Sequence, residues 1–195
     1  MVEATRRRQI ENVASTLFRE NGYAATSVRD IARALDLQGA SLYSHVASKE
    51  EVLWSIVDRA SSAFERRADQ GVAPLGAVGA RDRVAALVRG HVLVVAQDPE
   101  QASVFVREWR HLSSERREAI LARRDAYEGR LRALIADGMA TGDFAIVDPA
   151  LATTFLLTAM NGICGWYRPG GRLSPEQLAD AYVDLALRSL TEDYR

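Results

Sequence analysis

Between Thr26 and Lys49 the chain sets out side chains able to read and grip a nucleic-acid duplex. Gln38 carries an amide that can pair bidentately with adenine, and Ser41 and Ser44 carry hydroxyls that can meet several base edges. Gly39 and Ala40 have almost no side chain, so a helix bearing them can bring its N-terminus close to the floor of a major groove. Tyr43, His45 and Lys49 follow as polar or cationic donors suited to phosphate oxygens, contacts that fix register without reading sequence. Thr26 and Ser27 open a helix whose backbone N–H groups can meet a phosphate across the groove. The chemistry is that of DNA recognition.

Such residues must be held by short helices, and the pattern supplies them. Val28, Ile31, Ala32 and Leu35 recur at i, i+3, i+4 and i+7, which places one apolar stripe on a helical face. Thr26 and Ser27 supply the N-cap oxygen, and Ser27 with Asp30 has capping-box spacing. Asp36-Leu37 breaks the pattern, and a helix of about two turns is expected from Gln38 to His45. Ser48-Lys49-Glu50-Glu51 reads as a second capping box before an amphipathic run through Leu53, Ile56, Val57, Ala60 and Phe64. A first helix, from about Thr5 to Asn21, buries Ile10, Val13, Ala14, Leu17 and Phe18 and stops at Gly22.

From Arg6 to about Phe64 the chain resembles the DNA-binding domain of the TetR family of bacterial repressors. The resemblance rests on Ala14-Ser15-Thr16-Leu17-Phe18, Gly22-Tyr23, Thr26-Ser27-Val28, Ile31-Ala32, Leu42-Tyr43, His45 and Lys49-Glu50-Glu51-Val52-Leu53. Ser44 and Val46 depart from residues the family often carries there.

Composition narrows the function classes. The 195 residues carry a net charge of −1, which argues against indiscriminate coating of nucleic acid. Arg6-Arg7-Arg8 is a local basic entry that can flank a phosphate backbone. One cysteine, Cys164, excludes an internal disulfide, agrees with a reducing cytoplasm and reads as a small buried hydrophobe. No run reaches membrane-spanning length, and no signal peptide is read. His45, His91 and His111 have no metal-ligand spacing, and no phosphate loop or nucleophile elbow is present, so neither an enzyme nor a cofactor is expected. Glu108 and His111 share a helical face but read as a surface pair.

The expected organisation is a helix-turn-helix domain over 1–50, a connecting helix over 51–68, a Gly/Pro/Ala-rich loop over 69–80 and a ligand-binding and dimerisation domain over 81–195. The fold class is all-α, with about nine helices and no strand. Val84, Leu87, Val88, Val92 and Val95 form one stripe. Asp98-Pro99, Asp148-Pro149 and Ser174-Pro175 each place a cap before a proline at a helix start, and a long amphipathic helix runs from Ser114 to about Ala140. The first of these helices is expected to carry Ala102, Phe105, Val106 and Trp109. Residues 149–167 are apolar on nearly every face, so they need burial on more than one side. With the 175–190 helix they are expected to form a two-fold four-helix interface in a homodimer.

Two further stretches, Phe-Val-Arg-Glu-Trp-Arg-His-Leu at 105–112 and Trp-Tyr-Arg-Pro-Gly-Gly-Arg-Leu at 166–173, mix large aromatics with arginine. That composition suits a pocket with an apolar interior and an anion-binding mouth. The second stretch, with the long helix before it, is similar to a TetR subgroup that regulates fatty-acid and sterol-ring degradation and releases DNA on binding an acyl-coenzyme A thioester. The resemblance implies an acyl chain among Phe105, Trp109, Tyr127, Met160 and Trp166, with Arg107, Arg110, Arg124 and Arg168 toward the coenzyme phosphates. The alternatives are a repressor sensing a hydrophobic drug or aromatic metabolite, and an all-α adaptor that binds only protein.

Overall fold

The computed structural model describes residues 2–38, 42–72, 78–145 and 148–191, with side chains from Arg6 onward. Among them are eight α-helices, one 3-10 turn and no strand. The helices are α1 (Val2–Asn21), α2 (Val28–Ala34), α3 (Lys49–Val72), α4 (Ala80–Gln97), α5 (Pro99–Arg107), α6 (Ser114–Thr141), α7 (Pro149–Trp166) and α8 (Pro175–Thr191). The expected helix over 38–45 includes residues 39–41, which lie outside the described set. At its two ends Leu42 N donates to Gln38 O at 3.3 Å and Val46 N to Leu42 O at 3.2 Å, the spacing of helical bonds.

Local chemistry explains the boundaries. Gly22, at φ 82°, takes the left-handed conformation that ends α1, and its N–H donates to Phe18 O. Ser27 caps α2 reciprocally with Asp30: Asp30 N donates to Ser27 Oγ at 3.2 Å, and Ser27 N donates to Asp30 Oδ2 at 2.9 Å. After α2, Asp36 sits at φ 54°, where a short polar side chain is tolerated better than a branched one. Asp148 caps α7 through Ala150 N and Leu151 N ahead of Pro149. Ser174 and Gln177 exchange bonds at the start of α8.

Two expectations differ in detail. Ser48 Oγ does accept from Glu51 N at 3.0 Å, but the Glu51 carboxylate returns to Ala47 N at 2.7 Å rather than to the cap residue. The helix expected to carry Trp109 ends at Arg107, and Trp109–His111 form a 3-10 turn. Bonds from His111 N to Glu108 O and Leu112 N to Trp109 O tighten the chain there and turn Trp109 into the core.

The chain divides into two compact units. Unit 1 is Met1–Ser61 with Glu100–Leu121, and unit 2 is Ser62–Pro99 with Ala122–Arg195. Thus α5 and the first part of α6 fold with the N-terminal helices. The core of unit 1 includes Ile10, Phe18, Ile31, Leu42, Leu53, Ile56 and Ile120. An ion pair joins the buried Glu11 to the half-buried Arg59, which also donates to Gln101 Oε1 at 3.1 Å. In unit 2, α4 packs against α7 and α8. Its stripe of Val84, Leu87, Val88, Val92 and Val95 is fully buried, and Cys164 is buried nearby in α7.

Candidate functional site

The reading segment is anchored on one side and open on the other. Leu42 and Val46 are buried in unit 1, whereas Gln38, Tyr43 and Ser44 are exposed. Tyr43 is 56% exposed, unusual for an aromatic of its size and suited to a phosphate or sugar contact. His45 is half-buried, with its Nδ1 buried and lacking a hydrogen-bond partner. Gly39, Ala40 and Ser41 lie outside the described residues.

The residues flanking this segment are more engaged than their types alone suggest. Thr26 is buried, and its hydroxyl donates back to Gly22 O at 2.9 Å and Leu17 O at 3.3 Å, closing the end of α1. Ser27 alone therefore caps α2, and it remains exposed. Lys49 Nζ donates to Tyr23 O and Thr26 O, each at 2.9 Å, and stands 4.1 Å from the centre of the Tyr23 ring. Two of its three N–H donors are thereby used within the protein. Of the basic entry, Arg7 turns toward α3, donating to Glu51 Oε1 at 2.8 Å and Ser55 Oγ at 3.0 Å. Arg8 is exposed.

The proposed effector residues fall in both units. In unit 1, Phe105 and Trp109 are buried, while Arg107 and Arg110 are exposed and the Arg110 guanidinium lies 4.8 Å from the Trp109 ring centre. In unit 2, Tyr127 and Arg124 of α6 gather around His91 of α4. The Tyr127 hydroxyl is 3.2 Å from His91 Nδ1, and burial pushes its phenol well above the ordinary value. Met160 is buried in α7, but Trp166 is 53% exposed and Arg168 is exposed. Trp166, Tyr167, Arg168, Gly171, Arg172 and Leu173 line a concavity of about 220 Å³ after α7. Within unit 2 the residues proposed from sequence thus form two groups, Arg124 with Tyr127 and Trp166 with Arg168, while Met160 lines a separate groove with Phe155 and Leu185.

Sequence reasoning missed His91 and Arg172. A lone histidine inside an apolar stripe has the same periodicity whether it packs or binds, and Arg172 lies in a turn without a periodic signal. Burial, with the nearby Arg124 charge, holds His91 neutral and lowers its pKa from 6.5 to about 4, although a bond with Asn161 works in the opposite direction. The unfolded chain therefore binds the extra proton first as pH falls. Stability should drop between pH 6.5 and 4 by up to roughly 3 kcal/mol from this residue. His91→Gln, which cannot titrate, should flatten that part of the curve in urea melts at pH 6.5, 5 and 4.

Among the described residues no group of three or more His, Cys, Asp or Glu can hold a metal ion, and no helix is long and apolar enough to cross a membrane. Residues 10–56 match the model of bacterial regulatory proteins of the tetR family, and residues 77–190 match that of the tetracyclin repressor-like C-terminal domain. The chain is 29% identical to the HTH-type transcriptional repressor KstR2 of Rhodococcus jostii, over 97% of this chain and 93% of that one. The structure of the ketosteroid transcriptional regulator KstR2 of Mycobacterium tuberculosis superposes with a TM-score of 0.88 at 26% identity, covering 96% of each chain. AibR, solved in complex with isovaleryl coenzyme A and operator DNA, superposes with a TM-score of 0.78 at 29% identity, covering 92% of this chain and 97% of that one. With an exposed reading face on a capped helical scaffold and both halves matched, the chain belongs to the TetR family of DNA-binding transcriptional regulators and is not an enzyme.

Proposed function

We propose that the chain is a cytoplasmic homodimeric repressor released from its operator by an acyl-coenzyme A thioester of a lipid or sterol degradation pathway. The observation that carries the effector class is the concavity after α7, where an exposed indole, Trp166, stands beside Arg168 and Arg172. An indole face suits a purine base and guanidinium forks suit phosphates, the two polar parts of coenzyme A. The likeness to AibR, solved with isovaleryl coenzyme A, supports the thioester class, and the likeness to the ketosteroid regulator KstR2 supports a sterol-linked pathway. Acyl-coenzyme A should raise the melting temperature and quench tryptophan emission, with the quench lost in Trp166→Phe. Free fatty acid, lacking the phosphates, should act more weakly. A response only to planar aromatics or hydrophobic drugs would move the protein to the drug- or metabolite-sensing branch.

On the DNA side, Gln38, Ser41 and Ser44 read bases, Gly39 and Ala40 permit the approach, and Tyr43 and His45 grip phosphates. Gln38→Ala should relax discrimination at one base position by about 1–3 kcal/mol. Tyr43→Ala should weaken binding to all sequences alike. Titrations against an operator and its single-base variants separate the two, and a Tyr43→Ala effect confined to one base would reverse the assignment.

A further inference from the structure

Tyr23 occupies the turn between α1 and α2 and is gripped from three directions within unit 1. The Phe18 ring meets it edge-on at 5.2 Å, from the end of α1. Lys49, at the start of α3, lies over its ring and ties the carbonyls of Tyr23 and Thr26. The third direction is 85 residues further along the chain, where Glu108 Oε2 accepts from Tyr23 N at 3.3 Å. The His111 ring stacks on Tyr23 at 5.1 Å with an interplanar angle of 26°, and its Nε2 is 3.5 Å from the same Glu108 carboxylate. The segment is fastened again just beyond, where Ser113 N and Arg116 Nη1 both donate to Glu50, the neighbour of Lys49.

We propose that Tyr23, clamped between Lys49 and the Glu108–His111 segment, is the positioning residue that sets α2 and the reading segment after it in their DNA-binding attitude. Lys49 then acts on the turn rather than on a phosphate, and Glu108 and His111 control operator affinity without being part of the reading segment. The reason is mechanical. α2 has only seven residues, and its attitude depends on how the turn at 22–27 is held. A rotation there swings the reading segment that follows. The clamp fixes this turn through a backbone N–H, two carbonyls and both a cationic and a stacking contact with one ring.

Operator affinity in Glu108→Ala, His111→Ala and Lys49→Met, measured across a salt series against specific and random DNA, tests the proposal. Each substitution should weaken specific binding by about tenfold and leave binding to random DNA nearly unchanged. The salt slope of Lys49→Met should stay at the wild-type value, whereas loss of a phosphate contact would reduce it by about 0.9. Lys49→Met combined with His111→Ala should cost less than the product of the two single effects, because both act through one ring. Tyr23→Phe, which keeps the ring and the backbone bonds, should bind as the wild type does. If Lys49→Met proves unstable, Glu108→Ala and His111→Ala carry the test alone. Wild-type specific affinity in both, or a reduced salt slope with independent effects in the double variant, overturns it.

Discussion

Phe155→Glu combined with Leu185→Glu should convert a dimer into a monomer and lower operator affinity by two orders of magnitude or more. In the single chain Leu151, Phe155 and Leu185 are 68%, 60% and 64% exposed, a concentration of large apolar side chains on α7 and α8. Around Phe155 and Leu185 the two helices line an apolar groove of about 400 Å³ with Val88, Leu156, Met160 and Tyr182. Exposed apolar patches of this kind mark association surfaces, and a two-fold axis would lay each groove against its copy. Each substitution then enters the interface twice, and unpaired or like charges there cost several kcal/mol. Once the dimer is lost, each reading segment binds a half-site alone and forfeits an avidity of about 10²–10⁴. Sedimentation at micromolar concentration with an operator titration checks both steps. A double variant that stays dimeric would move the interface elsewhere.

The second large effect is on stability. Glu11 is only 5% exposed, and its carboxylate faces Arg59, with Arg7 Nε at 3.9 Å as a weaker neighbour. Arg59→Ala would leave a buried carboxylate without its main partner, at a cost of about 3 kcal/mol once the partial exposure of Arg59 is allowed for. It would also remove the Arg59–Gln101 bond between α3 and α5. Glu11→Leu with Arg59→Met, which removes both charges and keeps the volume, should recover most of the loss. Urea denaturation of the two variants decides it. Equal destabilisation would mean that packing, not the ion pair, accounts for the cost.

What was legible in the sequence was local. The Ser27–Asp30 cap, the Gly22 stop and the Asp148-Pro149 start depend on residues within a few positions of one another, and the structure has each where expected. The apolar stripe of α4 was equally plain, because periodicity reports burial directly. What escaped was tertiary. Nothing near Thr26 signals that its hydroxyl turns back to α1, and nothing near Lys49 signals that two carbonyls from the preceding turn occupy it. Glu108 and His111 read as a surface pair because their partner, Tyr23, is remote in sequence. The spacing of Trp109 from Phe105 fits a longer helix, yet a 3-10 turn brings it inward as well. Long-range hydrogen bonds and stacking leave no periodic trace.

The measurement that tests the functional account most directly is operator affinity, by fluorescence anisotropy, with and without a panel of acyl-coenzyme A thioesters. A ligand lowers DNA affinity only if it binds the DNA-incompetent arrangement more tightly, and couplings of about 1–3 kcal/mol are typical. At least one long-chain or ring-bearing thioester should weaken operator binding by about 5- to 150-fold. Arg168→Ala with Arg172→Ala should blunt that response while leaving thioester-free operator affinity intact. If no thioester shifts the affinity while an unrelated hydrophobic drug or planar aromatic does, the acyl-coenzyme A reading is contradicted.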